Sequence, residues 1–372
     1  MQEILIHCGI HKTGSSSIQQ ALAKNRQQLL GRGILYPSFR AHHFELYAAF
    51  CQDPLAYHMN RVRGLSTLTA VDAARTATLK SFEEELAACR SERVIVSAED
   101  FSAMNADELS AFVSYLSSLG FKAIKFVVYL RDYVSYWESS LQQRIKGGAY
   151  IDFAEKVPHR IRTYRLFLEA LSACSRRDNI NIRIFNKAFL KNGDAVADFA
   201  SCSGLDGLEM PTDYANQSLS WTAMLTLNAL NKRVPRHTEA GTSIIFDETI
   251  SVLREDTRPS FRASRAMAEY ILKASAEDRE YLREWFDGRD PFIDILDANL
   301  SDPARENTPP SDSEIIDLLA TLYAKAQIRA AENLAGKLHA VTRLARLRNK
   351  DAQANRSSQR YKKLIRRINA QD

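Results

Sequence analysis

A lysine and a run of hydroxyl side chains follow the first apolar segment of the chain. They come soon after Ile4-Leu5-Ile6 and a glycine, in the order Lys12-Thr13-Gly14-Ser15-Ser16-Ser17. Backbone N–H groups, hydroxyls and an ammonium group can together hold an anion such as a phosphate. These residue types therefore predict an anion-binding loop in which Lys12 supplies the positive charge.

The segments on either side of the loop are those that such a site requires. Three apolar residues at 4–6 predict a buried strand. After the loop, apolar residues recur at helical spacing, at Ile18, Ala21, Leu22, Leu29 and Leu30. Strand, glycine turn and helix N-terminus direct backbone N–H groups and the positive end of the helix dipole outward. An ordinary strand-to-helix turn with a surface lysine is the alternative, and the order of the elements favours the anion site.

This loop differs from a Walker A motif. Gly9 and Gly14 have the right separation, but Ser15 stands where that motif has its lysine, and Lys12 precedes Gly14 by two residues. The order instead resembles the 5′-phosphosulfate loop of sulfotransferases, which use 3′-phosphoadenosine 5′-phosphosulfate (PAPS) and share the P-loop architecture. The resemblance implies that the nucleotide is bound by His11, Lys12, Thr13, Gly14, Ser15, Ser16 and Ser17.

A second motif begins at Arg131, directly after the apolar segment 123–130. Ser139 follows eight residues later on a predicted helix. Arginine offers a charge-assisted fork to a phosphate, and serine offers a hydroxyl. The pair resembles the 3′-phosphate motif of sulfotransferases, which implies that Arg131 and Ser139 bind the nucleotide's 3′-phosphate. An arginine that caps the strand end, with a serine on a solvated helix face, is the alternative.

Two further segments extend the resemblance to about residues 1–295. Residues 182–185 followed by 193–199 are similar to a late strand and helix of these enzymes. Residues 216–220 are similar to a segment common in bacterial sulfotransferase-like proteins. The chain after residue 300 lies outside the resemblance.

Apolar segments alternate with helical patterns through the first 200 residues. Segments 94–96, 123–130 and 180–185 read as strands, and helices separate them. This alternation predicts an α/β fold, with a parallel sheet between helices, and the resemblance makes it P-loop-type. Lys12, Glu99 and Arg131 each follow a strand end. Because ligands bind at the carboxyl ends of such strands, the three predict one shared site.

The chain is predicted to consist of an α/β domain and a tail. The domain spans 1–300, with a helical part at about 211–300, and residues 302–310 read as a linker. The tail, 311–372, is helical and basic, with ten basic and two acidic residues between Val341 and Asp372. It predicts a packing helix, a self-association helix that would make a homo-oligomer, or a helix that contacts an anionic or membrane surface.

Composition narrows the class of protein. Of 372 residues, 45% are hydrophobic and 26% charged, as in a soluble globular protein. The five cysteines are scattered without a zinc-ligand spacing, which predicts no metal site and a reducing cytoplasm. The first strand begins near Met1, so no signal peptide is expected, and no apolar run has the length of a membrane span. The net charge of +5 belongs to the tail, which argues against a nucleic-acid-binding core.

The resemblance implies an activity: transfer of a sulfuryl group from PAPS to a hydroxyl of a carbohydrate or glycolipid, without a metal. Lys12 would stabilise the leaving phosphate. A base must take the acceptor's proton, and the candidates are His42, His43 and Glu99. The histidine pair follows the first helix and the next strand, a position that holds a histidine in several carbohydrate sulfotransferases. We expect the base in this pair, with His43 preferred.

Two other functions remain open. A P-loop nucleotide kinase would use the same architecture, but the lysine after the glycine is missing, and Asp100 is the one carboxylate at a strand end suited to Mg²⁺. A non-catalytic nucleotide-binding or scaffold protein would use the basic tail to bind an anionic partner.

Overall fold

A computed structural model describes residues 3–10, 12–38, 42–89, 91–153, 161–207, 218–233, 237–238, 241–242, 244–303 and 310–325. The chain divides into two compact units. One contains Met1–Ser218 and Ser260–Thr308, and the other contains Leu219–Pro259 and Pro309–Asp372. This division differs from the predicted boundary near residue 300, because residues 219–259 group with the C-terminal segment.

The first unit is built on a five-stranded parallel sheet. Its strands are β1 (Glu3–Cys8), β2 (Ile34–Leu35), β3 (Arg93–Ala98), β4 (Ala123–Leu130) and β5 (Ile180–Ile184), in the spatial order β2-β3-β1-β4-β5. Every neighbouring pair is parallel. The predicted α/β class with a parallel sheet is therefore confirmed.

Helices connect and cover these strands. They are α1 (Ser15–Lys24), α2 (Arg26–Gly31), α3 (Phe44–Phe50), α4 (His58–Val62), α5 (Leu68–Ala88), α6 (Ala106–Ser118), α7 (Tyr133–Lys146), α8 (Arg165–Cys174), α9 (Ala195–Cys202), α12 (Arg265–Ala274), α13 (Ala276–Arg283) and α14 (Ile293–Leu300). Asn105 and Glu108 form both reciprocal hydrogen bonds of a capping box at α6. Residues 265–283 form two helices, with Ser275 between them.

The strands carry apolar side chains, and the helices on the sheet shield these side chains from water. Ile4, Ile6, Val94, Val96 and Phe126 are fully buried. One buried cluster joins the sheet to α1 and α9 through residues such as Leu5, Ile18, Leu22, Tyr129 and Phe199. Burial of an aliphatic or aromatic side chain of this size stabilises the fold by about 1.5–3 kcal/mol. This packing fixes where β1 ends and α1 begins.

The sheet order creates a switch point between β1 and β4. The chain leaves β1 towards β2 on one side and leaves β4 towards β5 on the other. In open parallel sheets the crevice at the carboxyl ends of such a strand pair is the usual ligand site. The loop 9–14 follows β1 and Arg131 follows β4, so both stand at this crevice.

The second unit contains α10 (Trp221–Arg233), the antiparallel pair β6 (His237–Thr238) and β7 (Gly241–Thr242), α11 (Ile244–Leu253) and helical residues 312–325. Asp256 accepts from Ser220 and pairs with Arg258 at 2.9 Å. The basic part of the predicted tail, 326–372, lies outside the described residues. None of the helices within the described ranges is long and apolar enough to cross a membrane.

Candidate active site

A cavity of about 1090 Å³ lies at the carboxyl ends of the strands of the first unit. Lys12, Glu99 and Arg131 all line it, and each follows a different strand. The structure thus brings together three side chains that are separated by more than 30 residues in the sequence. The cavity is large enough for a nucleotide, since ligand pockets are typically ~300–1,000 Å³.

The loop between β1 and α1 is held in an unusual conformation. Lys12 has a φ of 72°, in the left-handed region that residues other than glycine rarely adopt. Gly14 has a φ of 77° and begins α1 without a side-chain cap. Such backbone strain is concentrated at functional sites. The first-turn residues Ser15, Ser16 and Ser17 line the cavity, so the start of α1 forms part of its wall.

Gly9 allows the loop to fold back on the start of α1. A Cβ atom at this position would lie 2.2 Å from Ser15 Oγ and 3.4 Å from Glu99 Cγ. Any other residue would force the loop or Ser15 to move. Glycine at position 9 therefore permits the close approach of the loop to the start of α1.

The two predicted phosphate motifs are connected directly. Arg131 donates from Nη1 to the carbonyl oxygen of Lys12 at 2.8 Å. The Arg131 guanidinium also lies over the ring of Phe185, 5.5 Å from its centroid. Tyr164 donates its hydroxyl to the Arg131 carbonyl at 2.5 Å. Arg131 is therefore fixed at both backbone and side chain, and it stabilises the strained Lys12 backbone.

Lys12 reaches across the cavity to α7. Its Nζ donates to Gln143 Oε1 at 3.0 Å. Burial lowers the pKa of the Lys12 ammonium, Glu99 raises it and Arg131 lowers it. Burial likewise lowers the pKa of the Arg131 guanidinium. Both groups are cations partly withdrawn from water, and an anion in the cavity would stabilise their charged forms.

Three helix N-termini line the same cavity. Residues of the first turns of α1, α7 and α9 contribute to its wall. Asp132 caps α7 by accepting from the Ser135 amide at 2.9 Å, and Asp194 caps α9 by accepting from the Ala197 amide at 2.8 Å. The described lining carries five cationic side chains and three carboxylates: Lys12, Arg131, Arg144, Lys187 and Arg262 against Glu99, Asp132 and Asp194. The cavity therefore favours an anionic ligand.

The three candidate bases differ in whether they line the cavity. Glu99 lines the cavity, whereas neither His42 nor His43 is among the described residues that do. His43 is completely buried. Its Nδ1 accepts from the Ser97 amide at 3.1 Å, so Nε2 carries the proton and donates to the Pro37 carbonyl at 3.2 Å.

This environment explains why the preference for His43 is not supported. Burial lowers the pKa of His43 to about 3; the Pro37 hydrogen bond raises it to a lesser extent, and Arg26 and His42 lower it slightly. One ring nitrogen is bonded to Ser97 of β3 and the other to Pro37 after β2, so both hold backbone segments together and neither faces the cavity. His42 is exposed, and its ring contacts Phe44 at 5.2 Å.

The other predicted ligands are divided between the wall and the interior. Gly14, Ser15, Ser16 and Ser17 line the cavity. Thr13 is buried and donates to the Ile10 carbonyl at 2.6 Å, so it shapes the loop. His11 lies outside the described residues. Ser139 is half-buried on α7 and is not among the described lining residues, although it lies one helical turn after Ser135.

Several residues that line the cavity were not predicted from the sequence. Ser135, Tyr136, Ser140 and Gln143 share the cavity side of α7. Helical spacing from Ser139 is the signal that could have found them. Arg262 comes from a segment more than 100 residues after Arg131, and nothing in the local sequence marks it. It donates to Glu138 at 3.0 Å.

Comparisons with known proteins do not show a family for this chain. Neither models of protein families nor curated proteins give a match. Among solved structures, one similar chain belongs to a study of the PezAT chromosomal toxin–antitoxin system of Streptococcus pneumoniae, with 12% identity, a TM-score of 0.28, and coverage of 62% of this chain and 86% of that chain. Within the described residues, no group of three or more histidine, cysteine or acidic side chains is placed to hold a metal ion.

Proposed function

We propose that this protein is a PAPS-dependent sulfotransferase with a P-loop-type fold. One observation carries the proposal: Lys12 and Arg131, from the two motifs that resemble phosphate-binding motifs of these enzymes, line one cavity and are hydrogen bonded to each other. The 5′-phosphosulfate would lie against Lys12 and the start of α1. The 3′-phosphate would lie against Arg131 and the hydroxyls of α7.

In the proposed reaction an acceptor hydroxyl attacks the sulfur of PAPS. A new bond forms between the acceptor oxygen and sulfur, and the bond between sulfur and the 5′-phosphate oxygen breaks. The electron pair of that bond stays on the phosphate, giving 3′-phosphoadenosine 5′-phosphate (PAP), and the hydroxyl proton passes to a base. The products are a sulfate ester, PAP and a protonated base.

Lys12 is proposed to stabilise the charge that develops on the leaving phosphate. Its Nζ donates to the neutral amide oxygen of Gln143. A phosphate oxygen is a stronger, charged acceptor, so it would replace Gln143 as the partner. The fixed backbone of Lys12 keeps its stem directed at the cavity, which limits the reorganisation needed during the reaction.

Glu99 is the base that the geometry favours among the three candidates. It follows β3, lines the cavity and is close enough to Lys12 to raise its pKa. A carboxylate at this place can accept a proton from a hydroxyl that enters beside the donor. The carbohydrate or glycolipid class of the acceptor follows from the resemblance, and the proposed cytoplasmic location follows from the scattered cysteines.

Isothermal calorimetry with PAP, compared with ATP and Mg²⁺, tests the proposal. We expect PAP to bind and Arg131→Ala to weaken that binding. A matched control, Arg176→Ala, removes an exposed arginine paired with Asp178 and should bind PAP normally. Binding of ATP with Mg²⁺ in preference to PAP would favour the kinase function instead. Tight PAP binding without transfer to any hydroxyl would favour the non-catalytic function.

A further inference from the structure

A second cavity, of about 1000 Å³, lies beside the first in the same unit. The two share Tyr136 and Ser140 of α7 as lining residues. Its remaining wall comes from the segment after β3, from residues 161–163 and from α8. Because the two cavities meet at α7, a molecule in the second can present a group to a ligand in the first.

Tyr136 stands between the charged groups of the two cavities. Burial raises the pKa of its hydroxyl, Arg162 lowers it and Glu99 raises it. The phenol is therefore within electrostatic range of Glu99 on the donor side and of Arg162 on the other side. Tyr136, which lines both cavities, thus interacts electrostatically with the proposed base and with Arg162.

Arg162 is the notable residue of the second cavity. It is half-buried and donates from Nη2 to the Ser102 carbonyl at 3.1 Å. Its Nε is buried without a hydrogen-bond partner among the described residues, and no carboxylate of those residues forms an ion pair with it. Glu169, which also lines this cavity, is paired with Arg165 at 2.7 Å. Because no carboxylate among the described residues pairs with this partly buried cation, a bound anion would stabilise its charged form.

The rest of the wall suits a hydroxylated molecule. Seven of the fourteen lining residues are polar, including Ser102, Asn105 and Thr163. The others are apolar, with Leu166 exposed at 74% and Phe167 buried. Mixed walls of this kind match the polar edges and apolar faces of a sugar.

We infer that the second cavity binds the acceptor, and that this acceptor is an acidic glycan whose carboxylate or sulfate ester pairs with Arg162 while a neighbouring hydroxyl reaches Glu99 past Tyr136. The inference rests on the proposed function for the identity of the reaction. The pairing itself is a binding property that can be measured without turnover. Arg162 acts here as a specificity-determining residue, since its fork fits a planar carboxylate or a sulfate.

A glycan array tests this pairing in the presence of PAP. The array carries neutral, carboxylate-bearing and sulfate-bearing glycans at equal density. We expect the full chain to bind acidic glycans at least tenfold more strongly than neutral ones. Arg162→Gln should lose that preference, and Arg162→Lys should keep part of it. Arg176→Gln, an exposed arginine outside both cavities, is the matched control and should keep it fully.

Calorimetry with PAP on each variant distinguishes failure of this inference from failure of the proposed function. Normal PAP binding by Arg162→Gln shows that the variant is folded and that the donor site is intact. If wild-type protein binds PAP but prefers neutral glycans, binds no glycan, or keeps its acidic preference in Arg162→Gln, the inference is wrong and the proposed function stands. If PAP does not bind at all, the proposed function fails whatever the array reports. Carboxylate and sulfate glycans, compared with each other, identify which anion Arg162 prefers.

Discussion

Arg131 donates a hydrogen bond from its guanidinium to the backbone carbonyl oxygen of Lys12, at 2.8 Å. The bond joins the loop after β1 to the end of β4, across the switch point of the sheet. A ligand that draws Arg131 forward therefore acts on the Lys12 backbone as well. In the proposed enzyme, binding of the 3′-phosphate and positioning of Lys12 for the 5′-phosphosulfate would be linked through this single side chain.

Replacing Arg131 should affect two nucleotides unequally. Arg131→Ala should weaken PAP binding by about 10–100-fold, since hydrogen bonds to charged groups contribute ~1.5–3 kcal/mol. Adenosine 5′-phosphosulfate lacks the 3′-phosphate, so its binding should fall much less. Ser139→Ala, compared with Ser140→Ala, tells which hydroxyl of α7 assists. Calorimetry with both nucleotides measures the three variants. Equal losses for the two nucleotides in Arg131→Ala would mean that Arg131 has only a structural role.

Lys12→Ala should reduce turnover by ~10²–10³-fold, the usual effect of removing one group that stabilises developing charge. PAP affinity should fall less, because the developing charge exists only in the transition state. Lys80→Ala, an exposed lysine paired with Glu84, is the control. Turnover of Lys12→Ala within threefold of wild type would contradict the assignment.

Glu99→Gln should lose ~10²–10⁴-fold in turnover and keep PAP binding, because the amide has similar shape and cannot take a proton. His42→Ala should remain close to wild type. Single-turnover sulfation assays on both variants provide the comparison. If Glu99→Gln is active and His42→Ala is inactive, the base is His42 and not Glu99.

Much of this arrangement was predictable because it depends on local patterns. The β-branched runs and glycine turns predict which residues follow strand ends, and parallel strands bring those ends to one edge. That is why Lys12, Glu99 and Arg131 could be grouped from sequence. The buried position of the His43 ring could not be predicted from sequence. It depends on the loop dihedrals and on a backbone partner in another strand. Arg262 could not be predicted either, since its place is set by long-range packing.

Two buried histidines, His7 and His43, should make the free energy of unfolding depend on pH in the acidic range. Burial lowers the pKa of both His7 and His43 from 6.5 to about 3. Below pH 6.5 the unfolded chain binds protons that the folded protein excludes. The free energy of unfolding should therefore fall as pH drops from 6.5 towards 3, by about 1.4 kcal/mol per pH unit for each histidine.

Urea denaturation at several pH values measures this slope. His43→Asn keeps an acceptor for the Ser97 amide and should show a slope smaller by about one proton. The exposed His42→Asn serves as the control and should follow wild type. If the slope of His43→Asn equals that of wild type, the folded protein does not hold His43 neutral.

Gly9→Ala should destabilise the protein by about 1–3 kcal/mol, the usual cost of overpacking, because the new methyl group would overlap Ser15 Oγ. PAP affinity should fall with it, since the loop must shift. Gly31→Ala, where a Cβ meets nothing within 4 Å, should be neutral or slightly stabilising. Thermal denaturation with and without PAP compares the two. Equal stability for both variants would rule out the close contact at Gly9.

The first unit is assembled from two separated stretches of chain, and this has a consequence for synthesis. Asp278 accepts from the Tyr133 hydroxyl at 2.6 Å and from the Tyr164 amide at 2.8 Å, and Arg262 completes the cavity wall. At about 5–20 residues per second, the ribosome delivers Asp278 on the order of ten seconds after β5, the last strand of the parallel sheet. During that interval the crevice of the nascent sheet lacks its full set of charges. For the proposed enzyme, nucleotide binding would therefore be postponed until translation of this unit is nearly finished.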